Sequence, residues 1–211
     1  MPKLHTEVLR KQQLALWNVL QKESSLIHSG GFYVAGGTAL ALQIGHRESQ
    51  DFDFFSQTSD VESIRSWIES QEEHVIREAD ALTIHAEIAD VKLSFIAGYR
   101  YPLLLPAVRA GNLDMASVMD IALMKMLAIT HRATLRDYLD LAVILRDHYT
   151  LRKLMEKSAE KYGPTFNVML CLRAMVHFDD LDPETPLILD PSLKTSWKKI
   201  LQDAVKKLAR G

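Results

Sequence analysis

The stretch that most constrains this chain is Phe32–Phe55, FYVAGGTALALQIGHRESQDFDFF. Phe32-Tyr33-Val34-Ala35 reads as a short buried strand. Gly36-Gly37 breaks it, Thr38 reads as the cap of a helix over residues 39–44, and Gly45 ends that helix. Asp51-Phe52-Asp53-Phe54-Phe55 alternates with period two, as a strand does. The phenylalanines would anchor this strand in the core. The two carboxylates would project together from its other face.

Each part of the segment has a chemical logic. Two glycines let backbone approach a ligand without interference from Cβ. Amides at the start of the following helix favour an anion such as a phosphate. Adjacent carboxylates repel one another unless a cation joins them, and hard oxygen ligands suit Mg²⁺, which also takes substrate phosphates and water. A phosphate cradle beside a carboxylate pair is what metal-assisted phosphoryl transfer requires. His46-Arg47 is open to a second reading, as an exposed loop pair.

The rest of the first half supports a small mixed sheet. Residues 6–28 read as an amphipathic helix, with Val8, Leu9, Leu14, Trp17, Leu20 and Ile27 at near-helical spacing. Ser59 reads as the start of a helix through Val61, Ile64 and Ile68. Strands are expected over 81–88 and 91–96, joined by a tight turn at Ala89-Asp90. The prolines at 102 and 106 make residues 101–106 irregular. From Ser117 the pattern is helical: 118–131, 135–147, 151–161, 165–177 and a basic last helix over 193–209. Ser117 with Asp120, and Thr134 with Asp137, resemble capping boxes. An acidic loop with Pro183, Pro186 and Pro191 precedes the last helix. The expected fold class is α+β: a small mixed β-sheet core with flanking helices over 1–116, then a helical domain over 117–211 that completes the active site.

A second cluster lies in DIALMKMLAITHRATLRDYLDL, residues 120–141. Lys125 and Arg132 are two helical turns apart, and Asp137 and Asp140 are three residues apart, so each pair is expected to share a face. Lys125 between Met124 and Met126 is unusual for a freely solvated lysine. Snorkelling, or an ion pair with Asp137 or Asp140, would explain it equally well.

Composition narrows the class. A chain of 211 residues, 47% apolar and 25% charged, is an ordinary globular protein of one large domain or two small ones. Cys171 is the one cysteine, which excludes a disulfide framework and a CxxC redox pair, and its apolar neighbours mark it as a core thiol. The histidines show no HExxH spacing, and neither GxSxG nor a Walker A sequence occurs. The expectation is a cytoplasmic protein with no membrane span and no signal peptide. The net charge of −2 hides a division. Glu48–Asp90 holds 12 acids and two bases, a net of −10, which leaves 15 acids and 23 bases elsewhere, a net of +8. A basic remainder, including Lys194, Lys198, Lys199, Lys206, Lys207 and Arg210, can face a polyanion.

Together, GGTALALQIGHRESQDFDFF (Gly36 to Phe55), MK with AITHR (Met124 to Arg132) and RDYLDL (Arg136 to Leu141) resemble the AbiEii/AbiGii-type nucleotidyltransferase toxin family. That family lies within the polymerase-β-like nucleotidyltransferase superfamily. HFDDLDPETP resembles the later part of one branch. The resemblance implies that Gly36, Gly37 and Thr38 hold a nucleoside triphosphate, and that Asp51 and Asp53 bind catalytic Mg²⁺ or Mn²⁺. It implies that Arg47 and Ser49 organise the phosphates or the aspartates. Lys125 and Arg132 would contact phosphates, and Asp137 or Asp140 would complete the acid site. The implied reaction moves a nucleotidyl group from an NTP to an acceptor, a tRNA-like RNA or a protein, with release of pyrophosphate. A cognate antitoxin is the implied partner. In the wider superfamily a third metal carboxylate lies on a strand after the DxD. Here that place falls on Ser94, with Lys92 two before it, and Glu87, Asp90, Asp137 or Asp140 are the stand-ins. The alternatives are a nucleotide- or partner-binding module without turnover, and a phosphotransferase on the same fold.

Overall fold

The computed structural model describes residues 3–58, 61–182 and 186–210. The chain divides into two compact units, Met1–Ser117 and Val118–Gly211. The fold is mixed α/β, with a seven-stranded sheet in the first unit and helices in the second.

The first unit begins with a 3₁₀ turn, Thr6–Val8, then α1 (Lys11–Lys22) and α2 (Ser24–Ser29). The single helix expected over 6–28 is therefore broken at Glu23. Val8, Leu9, Trp17, Leu20 and Ile27 are buried as their spacing suggests, but Leu14 is 38% exposed. β1 (Tyr33–Ala35), α3 (Gly36–Ile44) and β2 (Asp51–Phe55) follow. Then come α4 (Glu62–Glu69), β3 (His74–Ala79), β4 (Thr83–Ile88), β5 (Val91–Ile96), β6 (Val108–Ala110) and β7 (Leu113–Met115). The helix start expected at Ser59 lies outside the described residues, as do Pro183 and Glu184 of the acidic loop.

The strands lie in the order β3-β4-β5-β2-β1-β7-β6. β2 runs antiparallel to β1 and parallel to β5, so it is central and paired along both edges. Its alternation separates two environments. Phe52 and Phe54 are fully buried, and Asp51 and Asp53 on the other face are half-buried. Phe54 stacks on Phe95 with ring centroids 4.5 Å apart, Phe32 meets Phe95 edge-on at 5.3 Å, and Trp17 of α1 stacks on Phe52 at 5.7 Å. Such aromatic contacts each add about 1 kcal/mol to the burial of the rings. The same alternation sets Ile84, Ala86 and Ile88 in the core and leaves Thr83, His85 and Glu87 on the polar face. The turn at Ala89-Asp90 forms without glycine, with φ of 49° and 62°.

Strands β3, β6 and β7 escape the sequence reading. β3 is an edge strand with a bulge between Ile76 and Glu78, and Val75 is 45% exposed, so its alternation is blurred. β6 and β7 are three residues each, too short for a period to show.

The second unit contains α5 (Val118–Ala128), α6 (Leu135–Asp147), α7 (Leu151–Tyr162), a 3₁₀ turn (Gly163–Thr165), α8 (Val168–Ala174) and α9 (Leu193–Arg210). α8 is shorter than the expected 165–177, because Pro164 is drawn into the separate 3₁₀ turn. α6 packs against α5 and α9, and α7 against α5. Tyr138, Phe178 and Trp197 form an edge-to-face cluster, with centroids 5.1 to 6.3 Å apart, and the Lys198 ammonium sits 5.4 Å over both Phe178 and Trp197. Asp120 of α5 and Lys161 of α7 form an ion pair at 2.6 Å with both side chains wholly buried. Among the described residues no helix is long and apolar enough to cross a membrane.

Two outcomes follow from this packing. Lys161→Met leaves the Asp120 carboxylate buried without its cation, so thermal melting should show a loss of about 3–5 kcal/mol, whereas Asp120→Leu with Lys161→Met should recover most of it. Cys171 is fully buried and burial pushes its thiol up to about 12. The folded protein at neutral pH should therefore resist thiol reagents until denaturant is added.

Candidate functional site

In the first unit, the glycine pair and the acidic strand meet at close range. α3 starts at Gly36, one turn earlier than expected, directly off β1. Thr38 is thus inside the helix and does not cap it. Its hydroxyl instead donates to the Asp51 carbonyl and shares a hydrogen bond with Ser49 Oγ at 2.8 Å, wholly buried. Gly36 has a φ of +71°, and a Cβ there would stand 2.5 Å from Asp53 Oδ2. A Cβ on Gly37 would stand 2.5 Å from Arg47 Nη2 and 3.3 Å from Ser49 Oγ. Neither position has room for a side chain, because a carboxylate and a guanidinium already press on the backbone.

Arg47 and His46 are not an exposed loop pair. Arg47 is 1% exposed and His46 2%. The Arg47 guanidinium donates to the Glu48 carbonyl at 2.8 Å and lies against the first turn of α3. No side chain caps that turn at Ala35. The segment thus gathers Gly36, Gly37, Thr38, Arg47, Ser49, Asp51 and Asp53 around one helix start.

The register across the sheet places the neighbours of the two aspartates. Asp53 lies opposite Ala35 on one side and Ser94 on the other, and Asp51 lies opposite Lys92. On the next strand His85 opposes Ser94, with His85 Nδ1 3.0 Å from Ser94 Oγ, and Glu87 opposes Lys92. Glu87 is committed to Arg77 at 2.8 Å, which holds its carboxyl below the usual range. Asp90 lies in the turn after β4, beside a cavity of about 220 Å³ lined also by Asp51, Lys92, Gln13 and Arg10. Among the described residues no three His, Cys, Asp or Glu side chains converge on a metal position. Two carboxylates are nevertheless a fitting donor set for Mg²⁺, which is commonly held by one or two carboxylates plus substrate phosphates and water. His85 is the polar residue the sequence reading passed over. The alternation of TIHAEI, which puts His85 on the face of Glu87, was the signal.

In the second unit, one lysine gathers two carboxylates. Lys125 Nζ is 2.6 Å from Asp137 Oδ1 and 2.8 Å from Asp140 Oδ2, all three side chains being buried. Arg132 Nε reaches Asp137 Oδ2 at 2.9 Å from a largely exposed side chain. The ion pair left open by spacing is therefore the one formed. Arg132, however, lies past the end of α5 and shares no helical face with Lys125; the two meet only through Asp137. Thr134 is the residue before α6, but its side chain does not cap it: the Asp137 amide donates to the Thr134 carbonyl, and the Asp137 carboxylate is turned to the cations. Burial works to raise the Asp137 pKa, but Lys125 and Arg132 outweigh it and hold the carboxyl below its ordinary value. A cavity of about 620 Å³ adjoins Arg132 and is lined by His131, Arg173, His177 and Leu170.

The geometry has relatives. The chain is 33% identical over 190 residues to the uncharacterized protein aq_aa25 of Aquifex aeolicus, a match spanning 87% of this chain and 91% of that protein. Its fold is similar to that of MenT4, a nucleotidyltransferase toxin from Mycobacterium tuberculosis, with a TM-score of 0.61 and 16% identity over 95% of this chain and 86% of that one. It is also similar to JHP933 from Helicobacter pylori, with a TM-score of 0.55 and 18% identity over 96% and 95% of the two chains. At these identities the structural likeness speaks for the fold alone. The family is carried by sequence: the model described as "Nucleotidyl transferase AbiEii toxin, Type IV TA system" matches residues 19–210. A match that takes in both the glycine-pressed carboxylates and the Lys125 cluster leaves little of the chain outside it, and the chain belongs to the AbiEii nucleotidyl transferase toxin family.

Proposed function

We propose that this chain is a Mg²⁺-dependent nucleotidyltransferase. On this reading it moves a nucleotidyl group from an NTP to a hydroxyl of a tRNA-like RNA or a protein and releases pyrophosphate. It would act in the cytoplasm as the toxin of a pair with a cognate antitoxin. The observation that carries the reading is the contact of Gly36 with Asp53 and of Gly37 with Arg47. It brings the start of α3, a buried guanidinium and a carboxylate of the acidic strand to one place.

On this reading Gly36, Gly37 and Thr38 receive the triphosphate, whose oxygens accept from first-turn amides. Arg47 stands behind that turn, and Thr38 is tied to Ser49 and, through the Asp51 carbonyl, to the acidic strand. Asp51 and Asp53 would hold Mg²⁺, which when bound neutralises phosphate charge and polarises the α-phosphorus. Lys125 and Arg132 supply positive charge for phosphates. Asp137 and Asp140, already shared with one ammonium, serve by fixing where Lys125 points. The basic excess outside Glu48–Asp90 favours a polyanionic acceptor.

A second reading, binding without turnover, has one observation in its favour: the register partner of Asp53 on β5 is Ser94, not a carboxylate. The products separate the readings. Pyrophosphate and a labelled acceptor mark nucleotidyl transfer, a nucleoside diphosphate marks γ-phosphoryl transfer, and bound NTP with neither marks a binding module.

Three outcomes are expected. Incubated with α-labelled NTPs, Mg²⁺ and bacterial RNA or soluble protein, the wild type labels an acceptor, and Asp51→Ala with Asp53→Ala abolishes the label; equal labelling by the double variant overturns the assignment. Gly36→Ala forces a left-handed residue to carry a Cβ, at about 1–2 kcal/mol, and displaces Asp53. Activity should fall at least about 100-fold while the fold survives, as melting and labelling measured together would show. Because the Asp137 pKa is depressed, its ion pairs stabilise the fold above the ordinary aspartate range. That stability is lost as pH falls below about 4, through the folded-state value. Replacing Asp137 with Asn should remove this part of the acid sensitivity, while costing stability at neutral pH.

A further inference from the structure

The polar face of the sheet carries one row of side chains in register: Asp53 on β2, Ser94 on β5, His85 on β4 and Glu78 on β3. Ser94 and His85 are half-buried, so both are accessible from solvent yet held in place by strands on either side. Their hydrogen bond, 3.0 Å from Nδ1 to Oγ, joins the position beside Asp53 to an imidazole. A serine hydroxyl alone is too weak a base to take a proton from another hydroxyl. A serine backed by imidazole can pass a proton on, and histidine titrates near the pH at which such proton transfer is most effective.

We propose that His85, acting through Ser94 Oγ, accepts the proton of the attacking hydroxyl in nucleotidyl transfer. This rests on the reading of Asp51 and Asp53 given above. As the acceptor oxygen forms its bond to the α-phosphorus, the α–β bridging P–O bond breaks and pyrophosphate leaves with the electron pair. The acceptor's proton moves to Ser94 Oγ while the Ser94 proton moves to His85 Nδ1. The resulting imidazolium returns its proton to solvent. The step requires the tautomer with hydrogen on Nε2, which leaves Nδ1 free to accept from Ser94.

The charged groups around His85 are few. Glu78 opposes it on β3, and Glu87, two residues along β4, is tied to Arg77 and opposes Lys92 on β5. Asp80, before β4, is bound by the Leu82 and Thr83 amides, each at 2.7 Å, and Arg65 of α4 reaches the Asp80 carbonyl at 3.1 Å. Asp53 lies two strands away.

The test measures labelling by α-labelled NTPs with total bacterial RNA and with soluble bacterial protein as acceptors, across a range of pH. His85→Ala and His85→Gln should lower kcat by about 100-fold or more, leave KM for the NTP near its wild-type value, and abolish the acid limb of the pH profile. Added imidazole should restore activity to His85→Ala. Ser94→Ala, on the neighbouring strand, carries the same expectation for kcat and stands as the second variant. If His85→Gln and Ser94→Ala keep the wild-type kcat and acid limb while Asp53→Ala is inactive, the inference alone is overturned. If the wild type labels neither acceptor mixture, or Asp53→Ala labels as well as wild type, the nucleotidyl-transfer reading falls and this one with it.

Discussion

The stack of Phe54 on Phe95 is the contact on which the acidic site depends. β2 is five residues long, and every second one is locked in the core by rings from β5 and α1. The pleat leaves the remaining positions no freedom. With Phe52 and Phe54 buried, Asp51 and Asp53 must emerge on the other face, about two residues of strand apart. A slip of one residue in register would exchange the two sets, placing two carboxylates in an aromatic core. The apolar side of the strand thus aims the polar side.

The second constraint is steric. A helix that starts straight off a strand, with a left-handed residue at the junction, brings its first turn against the neighbouring strand. Glycine at positions 36 and 37 converts that proximity into contact with Asp53 and Arg47. The burial of Arg47 is part of the same device. A guanidinium taken out of water at this point sets a fixed positive charge beside the carboxylates, and little solvent remains to screen it. The acidic block of the sequence is therefore met at its start by a buried cation, from the residue just before the block begins.

Much of this was legible in the residues. The alternation of DFDFF and the spacing of Asp137 and Asp140 each express a local rule, and each appears in the structure as its rule requires. What could not be read was decided by tertiary context. Thr38 looks like a cap until the neighbouring strand offers its hydroxyl the Asp51 carbonyl. Thr134 and Asp137 look like a capping box, but the Asp137 amide goes to the Thr134 carbonyl and its carboxylate to Lys125. Lys125 and Arg132 look like one helical face, but α5 ends between them and a third residue joins them. Short and edge strands carry too little periodicity to be seen, and with β3 unseen the row running from Asp53 through Ser94 and His85 had no visible end.

The helix α5 has a consequence of another kind. Its sequence, VMDIALMKMLA, is apolar on nearly every side, and most of its residues are buried. Such a helix has no polar face, and hydrophobicity alone gives its rotation about its own axis little direction. Two charges settle it. Asp120 pairs with a cation on α7, and Lys125 pairs with two carboxylates on α6. Turning the helix by one residue would strand both in a medium that tolerates neither. The charges work as the teeth of a key: they add little to how tightly α5 is held, and they decide the single angle at which it fits.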